Sequence, residues 1–353
     1  MMERVDVLVV GCGPAGAAAA AAAAEAGARV LVVEKRQRVG VPVQCAEFIP
    51  LPLAAAAQAP GVVKQRISGM NTCLPSGRWV HTVAGGLMID RAAFDRHLAH
   101  RAQAAGAALA TGTALIALDA AARVACLKDG HGVRQVSYGA LVAADGPLSR
   151  VERLLGLAPL ALLWTRQYTF RLARAHADTD VWLGEDFPGG YAWFFPRGGT
   201  VNVGLGLAGP AEQLKGRLTR LCDQLIAQGR LQPPVLSRTG GAIPVGGLRP
   251  RLVTQGVVFA GDAAGLTHPV SGAGIAAAVD SGVQAGRAAA AWVGGRRHAL
   301  GDYEEAVREV YGPSLDRALA RRRELWRKAK RSDEDFRRGW VGFAEYFARD
   351  GDE

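Results

Sequence analysis

The feature that most constrains this chain lies at its start. A near-continuous apolar run, Val5 to Val10, passes directly into Gly11-Cys12-Gly13-Pro14-Ala15-Gly16 and then into an alanine-rich stretch. Such a run reads as a buried parallel strand, and the stretch behind it as a helix packed closely on that strand. Gly11 permits the tight turn, Gly13 removes the side chain that would block a pyrophosphate, and Gly16 lets helix and strand approach. Pro14 and Ala15 open the helix, whose N-terminus then faces the phosphates with the free N–H groups that follow Pro14 and with the positive end of its dipole. A second strand, Ala28 to Val33, ends at Glu34, where an acidic side chain would hydrogen-bond ribose hydroxyls and disfavour a 2′-phosphate. Lys35 follows as a further contact candidate. A glycine-rich turn alone would be weak evidence, but this strand, turn, helix and acid together predict a dinucleotide site.

The 353 residues suffice for one large core or two unequal ones, so the expectation is a cofactor domain carrying a substrate-facing insertion. Five cysteines (Cys12, Cys45, Cys73, Cys126, Cys222), odd in number and widely spaced, argue against a secreted disulfide framework or a zinc site, and no metal is expected. A reducing, cytoplasmic location fits, since no basic leader or cleavage pattern precedes Val5. The alanine run from Ala17 is interrupted by Glu25 and is shorter than the roughly 20 apolar residues a bilayer span needs.

Downstream, Gly256-Val-Val-Phe-Ala-Gly261-Asp262 is another short apolar strand ending in Gly-Asp, followed by a loop with Gly272-Ala273-Gly274 and a small-residue helix. This pattern resembles the para-hydroxybenzoate hydroxylase-type flavoprotein superfamily, which implies FAD. By that resemblance Asp262 meets the ribityl chain, and a helix starting near Gly272 stands beside the flavin pyrimidine. The physics agrees: reduced flavin carries negative charge near N1 and C2=O, which a helix N-terminus stabilises. The plainer alternative is a surface turn with a capping aspartate. Two more segments are similar to this superfamily. Ala140 to Arg150 contains Asp145-Gly146 after a strand expected to close the cofactor sheet. Ile89 to Leu98 places Arg91 at a helix start, either against a phosphate or paired with Asp95 four residues on.

Gly40 to Glu47, with Cys45, resembles the cysteine-bearing segment of geranylgeranyl reductases, and Tyr191-Ala192-Trp193-Phe194-Phe195-Pro196 resembles their YxWxFP motif, extended by Val201-Asn202-Val203-Gly204. The resemblance covers roughly residues 5 to 295. From the residues alone, the aromatic strand containing Tyr191 and Trp193 could wall a flavin or an apolar tunnel, or pack a core. Cys45 reads as a small buried hydrophobe or as a flavin-adjacent group that tunes or protonates; Pro50 stands where a CxxxxC partner would, so a redox disulfide is disfavoured. His268 either reaches a substrate or satisfies the backbone. Cys45, Tyr191, Trp193 and His268 are therefore the catalytic candidates.

The expected architecture is α/β: a discontinuous Rossmann-like FAD domain (1–66, 88–155, 250–296), an inserted antiparallel sheet (67–87, 156–249) and a basic helical tail (297–353). Strand-like runs at Arg78 to Val83, Tyr168 to Leu172 and Val201 to Leu207 support the insertion. The formal charge of +10 is concentrated in the tail, where aromatics interleave with arginines. A solvated helix docked by its aromatics, a site for an acidic partner or a membrane surface, and nucleic-acid binding compete there, the last disfavoured. The tail is also short for a lipid reductase of the resembled family.

Two enzyme readings share the cofactor. One is a reductase moving hydride from reduced flavin to an apolar unsaturated substrate; the other is a monooxygenase that hydroxylates an aromatic ring, of a small molecule or a peptide side chain, with oxygen activated on the flavin. Without a second GxGxxG after a strand, electrons are expected from transient NAD(P)H docking or a protein donor. A halogenase lacks a convincing catalytic lysine, and a non-catalytic flavin or prenyl carrier would not need every cofactor motif.

Overall fold

A computed structural model describes residues 2–348. The first sheet runs in the order Val253–Thr254, Val257–Phe259, Gly132–Ala143, Glu3–Val10, Val30–Glu34, Ala108–Thr111, with the hairpin of Ala114–Asp119 and Val124–Asp129 attached beside Gly132–Ala143. All pairings from Val257–Phe259 to Ala108–Thr111 are parallel. Val7, Leu8, Val9, Leu141, Val142 and Val258 are fully buried, as befits strands covered on both faces.

The helices Pro14–Glu25 and Ile275–Val293 pack on one another at backbone distance. A Cβ on Gly282 would lie 2.3 Å from the Ala15 carbonyl oxygen, and one on Gly286 2.1 Å from that of Ala19. The alanine run is therefore a close-approach surface, and its low bulk brings both helix N-termini to the same end of the sheet.

Three details differ from the sequence expectations. The second strand begins at Val30, because Gly27 and Ala28 cap the preceding helix with backbone bonds to Ala24 and Ala23. The downstream helix begins at Ile275, since Gly272 holds φ +70 in the preceding loop. The strand leading to Asp145 ends at Ala143 and lies inside the sheet between Glu3–Val10 and Val257–Phe259, so it does not close an edge.

The second sheet has eight strands in the order Leu231–Pro244, Leu162–Leu172, Thr200–Leu207, Tyr191–Arg197, Thr179–Trp182, Val63–Cys73, Trp79–Ile89, Phe48–Pro50. Its pairings are antiparallel except Thr179–Trp182 against Val63–Cys73. Period-two alternation divides its faces: Phe194, Val203 and Leu205 pack beneath the helix Glu212–Ala227, whereas Trp193, Phe195 and Met88 join a different cluster with Trp340 and Phe343.

The tail forms the helices Ala299–Arg327 and Asp333–Gly339, the latter opened by a Ser332/Asp335 capping box, and then a turn that leads into the short 3-10 helix Ala344–Tyr346. Trp340, Phe343 and Tyr346 are buried, and Lys328, Arg331 and Arg337 pair with Asp335, Glu185 and Glu345. The aromatics thus dock the tail on the body, and part of its positive charge is neutralised internally. Residues 349–353 of the expected tail lie outside the described residues. Among those described, no helix is long and apolar enough to cross a membrane.

Candidate functional site

A cleft of about 1470 Å³ is lined by residues of both sheets and of the tail. At one end lies the glycine turn. Gly11 adopts φ +96, and a Cβ there would stand 2.4 Å from the Ala144 carbonyl oxygen; one on Gly16 would stand 1.9 Å from that of Gly11. Gly13 differs, with nothing within 4 Å of its Cβ position. It opens onto the N-terminus of Pro14–Glu25, where no side chain caps the helix; Pro14 has no N–H, so the donors left open there are those of Ala15 and Gly16. Glu34 is held by backbone donors, its two carboxylate oxygens accepting from Cys12 N and Arg36 N at 2.9 Å each. Exposed Lys35 lies on the rim.

The second motif converges on the same space. Gly261 holds φ +60, and a Cβ there would stand 2.8 Å from that of Ala15, so Asp262 is delivered beside the first helix. Asp262 accepts from Thr267 Oγ1 at 2.7 Å; burial raises its pKa against that bond and the nearby Arg91 charge. A Cβ on Gly274 would approach Thr267 Oγ1 to 3.0 Å and Asp262 Oδ1 to 3.2 Å. With Gly272 and Ala273 it leaves the helix Ile275–Val293 uncapped toward the cleft. Two uncapped helix N-termini and the clear space over Gly13 fit an anionic dinucleotide with a flavin head.

The remaining cofactor candidates carry structural duties as well. Asp145 Oδ2 accepts from Arg150 N at 2.6 Å and Val151 N at 3.1 Å, at the start of a short helix whose N-cap is Ser149. Arg91 lines the cleft, but its guanidinium is bidentate on Asp95, at 2.9 and 3.1 Å. Burial opposes the Arg91 charge, and Asp95 and Cys45 more than restore it, so its pKa is raised. The ion pair of the second reading is formed, and Arg91 lines the cleft within it.

Farther in, the Cys45 Sγ accepts from Glu47 N at 3.2 Å. Burial pushes the thiol pKa up while the Arg91 charge pulls it down, and the net shift is upward, so the group is a protonated thiol at neutral pH. Cys45 is tied to the aromatic strand through Gln167, which donates to the Cys45 carbonyl at 3.1 Å and accepts from Trp193 Nε1 at 3.0 Å. Tyr191 donates to the Ser271 carbonyl at 2.5 Å, bracing the loop that carries Gly272. Tyr191, Trp193 and Phe195 all line the cleft, whereas Phe194 points into the opposite core. Wall and core are thus alternate residues of one strand.

His268 is not brought to the cleft. Its Nδ1 accepts from Ser271 N at 3.2 Å, its Nε2 stands 3.2 Å from Tyr346 Oη, and burial lowers its pKa to about 4. It is a neutral strut between the glycine loop and the tail, which corrects the expectation that it reaches a substrate. Cys12, Cys45, Cys73, Cys126 and Cys222 are all free thiols.

Two groups escaped the sequence reading. Glu47, buried and at φ +71, accepts from Arg91 N at 2.9 Å and Asn202 Nδ2 at 2.8 Å, with Arg197 Nε at 3.3 Å. It anchors the turn that carries Cys45. The second group is the tail return: Trp340, Val341, Gly342, Phe343 and Phe347 line the cleft, and Trp340 meets Tyr191 edge-on at 4.8 Å. Glu47 and Asn202 lie within the resembling segments, so their types were visible; the tail's reach was not.

Residues 5–197 match the pyridine nucleotide-disulphide oxidoreductase family, and residues 165–240 match the geranylgeranyl reductase catalytic domain. The digeranylgeranylglycerophospholipid reductase of Methanocaldococcus jannaschii is 33% identical over 329 residues, 87% of this chain and 81% of its own. That of Methanocella arvoryzae is 34% identical over 342 residues, covering 90% and 86%. A geranylgeranyl bacteriochlorophyll reductase-like structure from Thermoplasma acidophilum superposes with a TM-score of 0.86 at 28% identity, covering 95% of this chain and 90% of that one. The reductase reading stands above the monooxygenase alternative because these relatives are named as reductases. The cradle, the thiol-bearing turn and the aromatic wall thus belong to an FAD-dependent oxidoreductase, and the chain is a member of the geranylgeranyl reductase family.

Proposed function

We propose that this enzyme saturates carbon–carbon double bonds of an isoprenoid chain carried on a phospholipid or similar amphiphile, and that the glycine, acid and helix-terminus groups named above hold its FAD. The observation that carries the reading is the continuity of one cleft from the Gly13 space, past Cys45 and Trp193, to the wall of Trp340, Val341 and Phe343. Its volume exceeds the roughly 300–1,000 Å³ of ordinary small-molecule sites, leaving room for an apolar chain beside a dinucleotide. When bound, FAD supplies the hydride for one carbon of the double bond.

The protein supplies the rest. Tyr191, Trp193, Phe195 and Trp340 exclude water from the reacting carbons and orient the chain. Cys45 is the proton donor to the second carbon: its thiol is kept protonated by burial, and the thiolate left behind is stabilised by Glu47 N and Arg91 until solvent returns the proton. Glu47, fixed by Asn202 and Arg197, is a positioning residue for that thiol. Reducing equivalents enter from transiently docked NAD(P)H or a protein donor, which agrees with a cleft open to solvent at the Lys35 rim.

The test is anaerobic. Chemically reduced holoenzyme, mixed with an unsaturated polyprenyl phospholipid, is expected to regain the oxidised flavin spectrum with the lipid and not with its saturated counterpart. Equal reoxidation with both, or none with either, would overturn the reading.

A further inference from the structure

One row of the second sheet runs from its edge strand to the aromatic wall. Thr239 of Leu231–Pro244 stands opposite Gln167 of Leu162–Leu172, Gln167 opposite Gly204 of Thr200–Leu207, and Gly204 opposite Trp193 of Tyr191–Arg197. Residues paired directly in register point to the same face, which here is the face of the cleft. Gly204 leaves a gap in the row, and the Trp193 indole lies in it: a Cβ on Gly204 would stand 2.3 Å from Trp193 Cζ2. From that place the indole reaches across the glycine strand and donates from Nε1 to Gln167 Oε1 at 3.0 Å. An indole N–H only donates and a carbonyl only accepts, so the two partners together fix the Gln167 amide, with Oε1 toward Trp193 and Nε2 toward the Cys45 carbonyl at 3.1 Å.

The segment that bears Cys45 crosses this row and is tied to the sheet residue by residue. Thr239 Oγ1 donates to the Val43 carbonyl at 2.7 Å, and Gln44 Nε2 donates to the Gly240 carbonyl at 2.6 Å. Gln167 then takes Cys45, and Asn202 Nδ2 donates to the Ala46 carbonyl at 3.3 Å. Of these four anchors, the one that also bonds an aromatic of the wall is Gln167, and at 5% exposure its amide has little access to water. A buried amide satisfied at both ends is held in one orientation, and removing one partner leaves the other group unsatisfied. The tryptophan of the YxWxFP strand and the glycine that closes Val201-Asn202-Val203-Gly204 thus serve one purpose, since a side chain at position 204 would push the indole off Gln167.

We propose that Gln167, oriented by the Trp193 indole laid over Gly204, is a positioning residue that holds the Cys45 thiol at the reacting carbons. The inference rests on the proposed role of Cys45 as proton donor. It is tested with Gln167→Glu and Gln167→Met in FAD-loaded enzyme. A protonated glutamic acid donates to the Cys45 carbonyl as the amide does, whereas the ionised form has no proton to give and repels that oxygen; burial moves its titration toward neutral pH. Methionine fills the space and makes neither bond. Thr239, Gln167, Gly204 and Trp193 carry no group that titrates near neutral pH, so a pH step in the ratio of variant to wild type belongs to the new carboxyl. Single-turnover saturation of a polyprenyl phospholipid should fall about 10-fold in Gln167→Glu at about pH 8 and return to within about threefold of wild type at about pH 5.5. Gln167→Met should stay about 10-fold down at both. The infrared S–H band of Cys45, taken as the difference from Cys45→Ala, should shift in Gln167→Glu at the higher pH and return at the lower. Wild-type rates in both variants, or a loss in Gln167→Glu that ignores pH, would overturn the positioning role. The band separates the two proposals, because it needs no turnover. A band that moves and returns in an enzyme whose wild type saturates nothing would keep the positioning role and sink the reductase reading, and saturation by wild type with an unmoved band would do the reverse.

Discussion

The two ends of the cleft are built differently. The end proposed for the cofactor is made of backbone: Gly11, Gly16, Gly261 and Gly274 are places where any Cβ would meet an atom at about 3 Å or less, and Gly13 is a space kept clear. The end proposed for the substrate is made of side chains from distant strands and the tail: Trp193, Phe195, Trp340 and Phe343 on one wall, Cys45 on a turn held by Glu47 and Gln167. A backbone cradle tolerates no substitution at its contact points and recognises the features common to every dinucleotide. A side-chain wall can be rebuilt one residue at a time, which is how one scaffold serves many substrates.

The largest expected effect lies at the cradle. Gly16→Ala places a methyl group 1.9 Å from the Gly11 oxygen and should both abolish FAD retention and destabilise the protein by about 3 kcal/mol. Flavin absorbance after gel filtration and denaturant unfolding read the two outcomes. A yellow, fully stable variant would break the contrast between the two ends.

At the wall, chemistry and cofactor binding should separate. Cys45→Ala should lower turnover about 100-fold, the share expected of a positioned proton donor, with FAD retained and unfolding midpoints unchanged. Single-turnover rates on the loaded enzyme decide it, and an unaltered rate would remove Cys45 from the reaction.

The strut between the ends gives a pH signature. His268 titrates at about 4 in the folded chain against an ordinary 6.5, so the unfolded chain binds the extra proton first. Stability is then complete above about pH 6.5 and falls as pH drops toward 4, by about 3 kcal/mol at most. His268→Gln should flatten that window in denaturant midpoints measured between pH 4 and 7. The smallest effect is Tyr191→Phe, which removes the bond to the Ser271 carbonyl and should cost about 1 kcal/mol, leaving the flavin spectrum shifted but the cofactor bound.

What was legible in the sequence follows the same division. Strand, glycine turn, helix and acid are local patterns, so Gly11 to Gly16, Glu34 and Gly261-Asp262 could be read in place, and only element ends moved by a few residues. Long-range side-chain geometry could not. Arg91 facing a phosphate and Arg91 paired with Asp95 have the same local pattern, and the pairing is visible only in the fold. His268 looked available because nothing nearby in sequence shows Tyr346, seventy-eight residues on, taking up its Nε2. The tail read as a docked helix, yet its return past Gly339 to place Trp340 against Tyr191 depends on a turn that no periodicity announces.

The most direct test of the central claim is a single turnover of reduced holoenzyme with an unsaturated polyprenyl phospholipid in the presence of oxygen, followed by the mass of the lipid. The account predicts a gain of two hydrogens for each bond reduced and no incorporated oxygen. A product carrying an oxygen atom would contradict it and return the cleft to the monooxygenases.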